Sequence, residues 1–209
     1  MSAKEFDPLE PPHNTYLAGE LTSGSEGAPK ANTHYFCKVD RRTHTHKPSG
    51  AEVGAISARL DGEQFQGWRL DHLARDISKG CTILPSKHEG KRAPETWAAQ
   101  QLFFIDVDND CRDGHGYLSE RDAVMTSKAL RLPLALSYQT FSSERTTDGP
   151  SGRERFRLVF ALDEPTFDRE EAERLMDVLR CAFPDADSST TQLNRLFYGT
   201  DKEVRLWTN

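Results

Sequence analysis

Two aspartates one residue apart close an apolar run, Leu102-Phe103-Phe104-Ile105-Asp106-Val107-Asp108. Side chains alternate between the two faces of a strand. Phe104, Asp106 and Asp108 therefore share one face, and Phe103, Ile105 and Val107 share the other. Like charges a few ångströms apart repel, and burial disfavours their ionised forms. A hard divalent cation such as Mg²⁺ removes both penalties, because it prefers oxygen ligands. The stretch reads as a carboxylate platform for a metal on a core strand. It also reads as a strand running out into a polar turn, since Asn109-Asp110 follows and Asp-rich turns are common.

A second strand pattern, Arg153-Glu154-Arg155-Phe156-Arg157-Leu158-Val159-Phe160, puts Arg155 and Arg157 on one face and Phe156, Leu158 and Phe160 on the other. Two arginines on a core strand are costly to bury without partners. The planar guanidinium fork suits either a phosphate or an in-sheet carboxylate. A third polar group, Asp187, lies in Phe183-Pro184-Asp185-Ala186-Asp187-Ser188-Ser189, where a helix passes into the next strand. It reads as a third carboxylate for the site or as a helix-ending cap. Arg195 follows shortly after, and Lys91-Arg92 stands in a compact basic loop just before the Asp strand.

These residues need elements to position them. Residues 1–30 are rich in Pro, Gly, Ser and Glu and read as a flexible N-terminal segment. A strand is predicted at 33–39 and a helix near 69–78. Ser119 with Asp122 three residues on marks a helix start running to about residue 130. Residues 134–141 and 155–160 read as a long hairpin. Asp168 with Glu171 caps a helix carrying Ala172, Leu175, Met176, Leu179 and Phe183 at helical spacing. Residues 193–198 and 204–207 are predicted as short strands. The expected fold class is α+β. Residues 31–100 form an N-terminal α/β subregion, and residues 101–209 form an RRM-like split βαβ core. That core puts helices on one sheet face and leaves the other open for a site.

Composition narrows the function. The 209 residues are 36% hydrophobic, with a mean hydropathy of −0.70. No apolar run is long enough to span a membrane, so a soluble, cytoplasmic protein with no membrane partner is expected. Cys37, Cys81, Cys111 and Cys181 show no paired spacing and read as reduced thiols. The net charge is −6. Residues 1–101 carry 13 acidic and 13 basic residues, and residues 102–209 carry 20 and 14. This acidity argues against a protein that coats DNA by charge alone. His34, Cys37, His44 and His46 fit no standard zinc spacing, so zinc is not expected. Trp68, Trp97 and Trp207 read as packing residues, and Cys111 and His115 as loop residues.

Taken in order, the three chemical elements resemble the archaeo-eukaryotic primase superfamily, the primase-polymerase fold of plasmid, phage and mobile-element replication proteins. The resemblance covers roughly residues 80–205. Asp106 and Asp108 match its first motif, an apolar strand ending in Asp-x-Asp. Asp187 matches its single acidic third motif. The 195–202 stretch and Lys91-Arg92 look like the flanking segments of many members. The resemblance implies that Asp106, Asp108 and Asp187 hold two Mg²⁺ or Mn²⁺ ions. It implies that Arg155, Arg157 and Arg195 hold a triphosphate, and that Lys91 and Arg92 hold template or nucleotide. The implied activity is that of a DNA primase or polymerase domain, transferring nucleotides to a 3′-hydroxyl on a single-stranded DNA template. A helicase domain or other replication partner is implied alongside it. One departure stands out. The second motif's His is missing, and Arg155 and Arg157 occupy the matching strand. Two alternatives follow, a replication initiator that binds nucleic acid without polymerising, and a metal-dependent nuclease.

Overall fold

The apolar run before Asp106 falls in one of the two eleven-residue strands of the described fold, and both of its faces are covered. The computed structural model describes residues 33–109, 117–143, 154–187 and 192–207. Within them the order is β1 (His34–Asp40), α1 (Ala51–Gly62), β2 (Gln66–Arg69), α2 (Leu70–Ser78), β3 (Thr82–Leu84), β4 (Ser86–His88), β5 (Trp97–Val107), α3 (Glu120–Ala129), β6 (Leu134–Gln139), β7 (Phe156–Thr166), α4 (Arg169–Ala182) and β8 (Val204–Leu206). The fold is α+β, with two antiparallel sheets, β2-β1-β3 and β4-β5-β7-β6-β8. Among the described residues no helix is long and apolar enough to cross a membrane. The predicted N-terminal segment, the stretch 144–153 between the two predicted hairpin strands, Cys111 and His115 lie outside the described residues.

The larger sheet keeps the split order expected around the Asp strand. β7 lies between β5 and β6, antiparallel to both. The last strand departs from an RRM-like closure. β8 pairs with β6 at the far edge, and β4 from the N-terminal subregion pairs with β5 instead. β5 also runs across the 100/101 boundary expected between the subregions. Residues 193–198 do not form a strand. Only Phe197 bridges to Ile83 of β3. Helix α1 falls in a segment with no clear periodicity, and its start carries no side-chain cap.

The two faces of β5 bury different partners. Phe103, Ile105 and Val107 pack with Ala123 and Val124 of α3 and Ala172, Met176 and Leu179 of α4. Ser119 caps α3 by accepting from the Asp122 amide, and Asp168 caps α4 by accepting from the amides of Glu170 and Glu171. Both helices therefore start where the sequence predicts. The opposite face, expected to be open, is largely covered. Leu102 and Phe104 pack with Tyr35, Cys37 and Val39 of β1 and with Leu73 and Ile77 of α2. The physical reason is that Leu102, Leu136, Val159 and Ala161 make that face apolar too, and apolar area is driven out of water. Burial raises the pKa of the Cys37 thiol strongly and that of Cys81 to about 11. Both behave as inert core thiols.

The chain after α4 returns across this second core. Phe197 stacks on Phe104 at 4.3 Å, and its amide and carbonyl pair with Ile83 at 2.9 and 2.8 Å. The Thr200 amide donates to the Ile77 carbonyl at 2.8 Å. Gly199 lies so close to α2 that an added Cβ would stand 2.5 Å from the Ile77 carbonyl oxygen and 2.6 Å from that of Cys81. Gly199→Ala is expected to force this backbone apart and lower stability by about 1–3 kcal/mol. A drop in the urea midpoint at constant m-value checks it.

Candidate active site

Register decides what surrounds Asp106. It stands opposite Arg157 on β7, and Arg157 stands opposite Tyr138 on β6. A row Asp106–Arg157–Tyr138 therefore crosses three strands at one level. Arg157 donates through Nη2 to Asp106 Oδ2 at 3.1 Å. Through Nη1 it donates to the Tyr198 carbonyl at 2.5 Å and to the Tyr138 hydroxyl at 3.4 Å. The side chains of Arg157 and Asp106 are only 9% and 5% exposed. Burial alone would depress the Arg157 pKa, but Asp106 and Tyr138 outweigh it and hold the guanidinium above its ordinary value. Burial likewise raises the Tyr138 phenol, which stays a neutral donor and acceptor.

Asp187 comes to the same place. Its amide donates to the Asp106 carbonyl at 2.8 Å. Arg195 then touches both carboxylates, with Nη1 3.3 Å from Asp187 Oδ2 and Nη2 3.7 Å from Asp106 Oδ2. Asp108 lies past the end of β5 with its side chain 40% exposed, and Arg155 Nε stands 4.0 Å from its Oδ1. Arg155 and Arg157 thus each face a carboxylate, the partner left open beside phosphate in the sequence.

These groups border a cleft of about 330 Å³. Asp106, Asp108, Arg92, Arg157 and Arg195 line it. Arg155, Lys91 and Asp187 are not among the lining residues, and Lys91 is exposed. Arg92 spends its fork on the protein, donating to the Asn194 carbonyl at 2.6 Å and the Ser57 hydroxyl at 2.9 Å. It ties α1 to the segment that returns after α4. Sequence reasoning missed Lys47, Tyr198 and the wall formed by Thr140, Phe141 and Ser142. No local pattern marks Lys47. The wall is held from behind by Lys202, whose ammonium donates to the carbonyls of Thr140, Phe141 and Ser143 at 2.8, 3.4 and 2.7 Å. Four basic and two acidic residues line the cleft, so a chain of net charge −6 presents a local excess of positive charge there. Such a concavity attracts anions.

The donors suit a hard cation in part. Asp106 Oδ1 is buried with no hydrogen-bond partner, an expensive state for a carboxylate oxygen, and Asp108 lines the same cleft. The third carboxylate is bridged to Arg195. Among the described residues no group of three His, Cys, Asp or Glu side chains is gathered to hold a metal. Of the residues considered for zinc, Cys37 is buried in the core. His44 and His46 instead face Glu52 at 3.8 and 3.6 Å.

No protein-family model and no curated protein matches this sequence. Among solved structures, the AEP domain of the primase-polymerase from cyanophage S-2L aligns over 85% of this chain and 81% of that chain, at 13% identity and a TM-score of 0.39. A likeness that slight carries no functional argument, and the site must speak through its own residues.

Because Asp106 balances a buried guanidinium, Asp106→Ala is expected to cost about 3–5 kcal/mol. Asp108→Ala, at the more exposed position, is expected to stay within about 0.5 kcal/mol of the parent. Adding Arg157→Leu to Asp106→Ala should recover part of the loss. Urea unfolding of the parent, Asp106→Ala, Arg157→Leu and the double variant, as a double-mutant cycle, measures the coupling.

Proposed function

We propose that this chain is a nucleotidyltransferase of the primase-polymerase type, which transfers nucleotides from nucleoside triphosphates to a 3′-hydroxyl on a single-stranded DNA template, with pyrophosphate as the leaving group. The observation that carries the reading is the meeting of Asp106 and Asp187. The two are distant in sequence and matched independently to the first and third motifs, Arg195 contacts both carboxylates, and Asp106 lines a cationic cleft.

A divalent cation bound at Asp106 and Asp108, with Asp187 beside them, would neutralise triphosphate charge and lower the pKa of the attacking hydroxyl. The rest falls to the protein. Arg157 holds the Asp106 carboxylate in one orientation, a positioning role, because its two Nη groups are engaged by Tyr138, Tyr198 and Asp106. Arg195, 27% exposed, and Lys47 at the cleft wall supply the charge that meets the phosphates. Arg92 and Lys202 keep two walls of the cleft in place. In phosphoryl transfer such positioning and charge neutralisation provide most of the acceleration.

A second reading has one observation in its favour. Arginines already neutralise the carboxylates, which suits a module that binds nucleic acid or nucleotide without reaction. A primer-synthesis and extension assay with labelled nucleoside triphosphates, a single-stranded DNA template and Mn²⁺ separates these readings. New or lengthened strands are expected, and Asp108→Ala should lower the rate on the order of 10²–10³-fold while remaining folded. Binding without product would favour the second reading, and shortened strands would indicate a nuclease.

A further inference from the structure

The arginines around Asp106 are not held alike. Arg157 is buried, meets Asp106 at 3.1 Å and is fixed from behind by Tyr138 and Tyr198. Arg92 is fixed by a backbone carbonyl and a hydroxyl. Arg195 sits at the cleft, over the Phe197 ring at 5.9 Å, 3.3 Å from Asp187 and 3.7 Å from Asp106, and it is the more exposed partner in that last contact. Its guanidinium bridges one oxygen of each carboxylate, while the other oxygen of Asp106 is buried and has no hydrogen-bond partner. A cation approaching that orphan oxygen meets Arg195 as a like charge already occupying the carboxylate pair.

We infer that Arg195 is a resident counter-ion that competes with a divalent cation for Asp106 and Asp187, and that a phosphate-like anion, by drawing this guanidinium away, raises the affinity for metal. The inference rests on the metal-dependent reading of the site and adds an order to it. Two carboxylates that adjoin without a cation between them would repel, and the arginine relieves that repulsion when the cleft is empty. A guanidinium binds phosphate oxygens at least as well as carboxylate oxygens, so an incoming polyphosphate offers Arg195 an alternative partner. Coupling between two ligands is reciprocal by necessity. Metal and polyphosphate should each tighten the other, and metal alone should bind weakly.

Mn²⁺ titration of the whole chain, followed by the electron paramagnetic resonance of unbound Mn²⁺, tests this without any turnover. Arg195→Gln is expected to bind Mn²⁺ about tenfold more tightly than the parent, a typical size for such coupling. Arg195→Lys, which keeps the charge, should fall between the two. Sulfate, standing for a phosphate, should tighten Mn²⁺ binding by the parent and leave Arg195→Gln unchanged. Adding Asp106→Asn to Arg195→Gln should abolish the gain. Equal or weaker Mn²⁺ binding by Arg195→Gln overturns the inference, as does a sulfate effect that survives the substitution. If the parent extends primers while Arg195→Gln shows no gain in metal affinity, only this inference fails. If the parent neither extends primers nor binds Mn²⁺ with sulfate present, the proposed function fails with it.

Discussion

A carboxylate and a guanidinium placed side by side in the interior set the terms for everything near them. Asp106 and Arg157 lie on adjacent strands with almost no exposure. Desolvating two charges is expensive, and their attraction repays it only when further hydrogen bonds satisfy what remains. Tyr138 supplies one such bond from the next strand. The Tyr198 carbonyl supplies another, and only if the chain after α4 comes back over the sheet. The pair therefore constrains three strands and one irregular segment at once. The stacking of Phe104 on Phe197 and the bridge to Ile83 bring that segment within reach.

The same return path builds the cleft. The smaller sheet and α2 cover the Phe104 face of the larger sheet, but Asp106 stands two residues further along, where polar residues replace the apolar cover. Arg92, reaching from the loop before β5 to Asn194 and Ser57, closes one side. Lys202, spread over three carbonyls of the 140–143 turn, closes another. Both are cations used on backbone and hydroxyl oxygens rather than on carboxylates. That usage fixes walls without cancelling the positive field inside. An acidic protein can in this way offer an anion a favourable pocket.

The network on the helix-covered face of the sheet follows a similar logic. Glu120, at the first turn of α3, is buried and accepts from the Ser137 hydroxyl at 2.6 Å, with Arg205 of β8 at 3.4 Å. Trp207 donates to the same hydroxyl at 2.8 Å. These bonds give β8 a reason to sit beside β6 at the far edge. The place beside β5 is already taken by β4, whose His88 is held between Ser86 and Thr96. The order of the sheet is thus settled by side-chain partners at its two edges.

Local pattern alone determined a good deal of this protein. The alternation around Asp106 placed Phe103, Ile105 and Val107 on one face and Phe104 with the aspartates on the other, because a strand's period is a property of its backbone. Ser119 and Asp168 marked the starts of α3 and α4, because a cap is completed within one turn. The Asp-x-Asp pair, Arg157 and Asp187 were singled out by type and position. What needed tertiary structure was every pairing between distant segments. The register that sets Asp106 against Arg157, the return that lays Asp187 and Tyr198 beside them, the placing of β8, the burial of the second sheet face and the arrival of Lys47 at the cleft all depend on which surfaces meet. Those choices are made by long-range packing and by the need to satisfy buried charge, and neither leaves a mark on neighbouring residues in the chain.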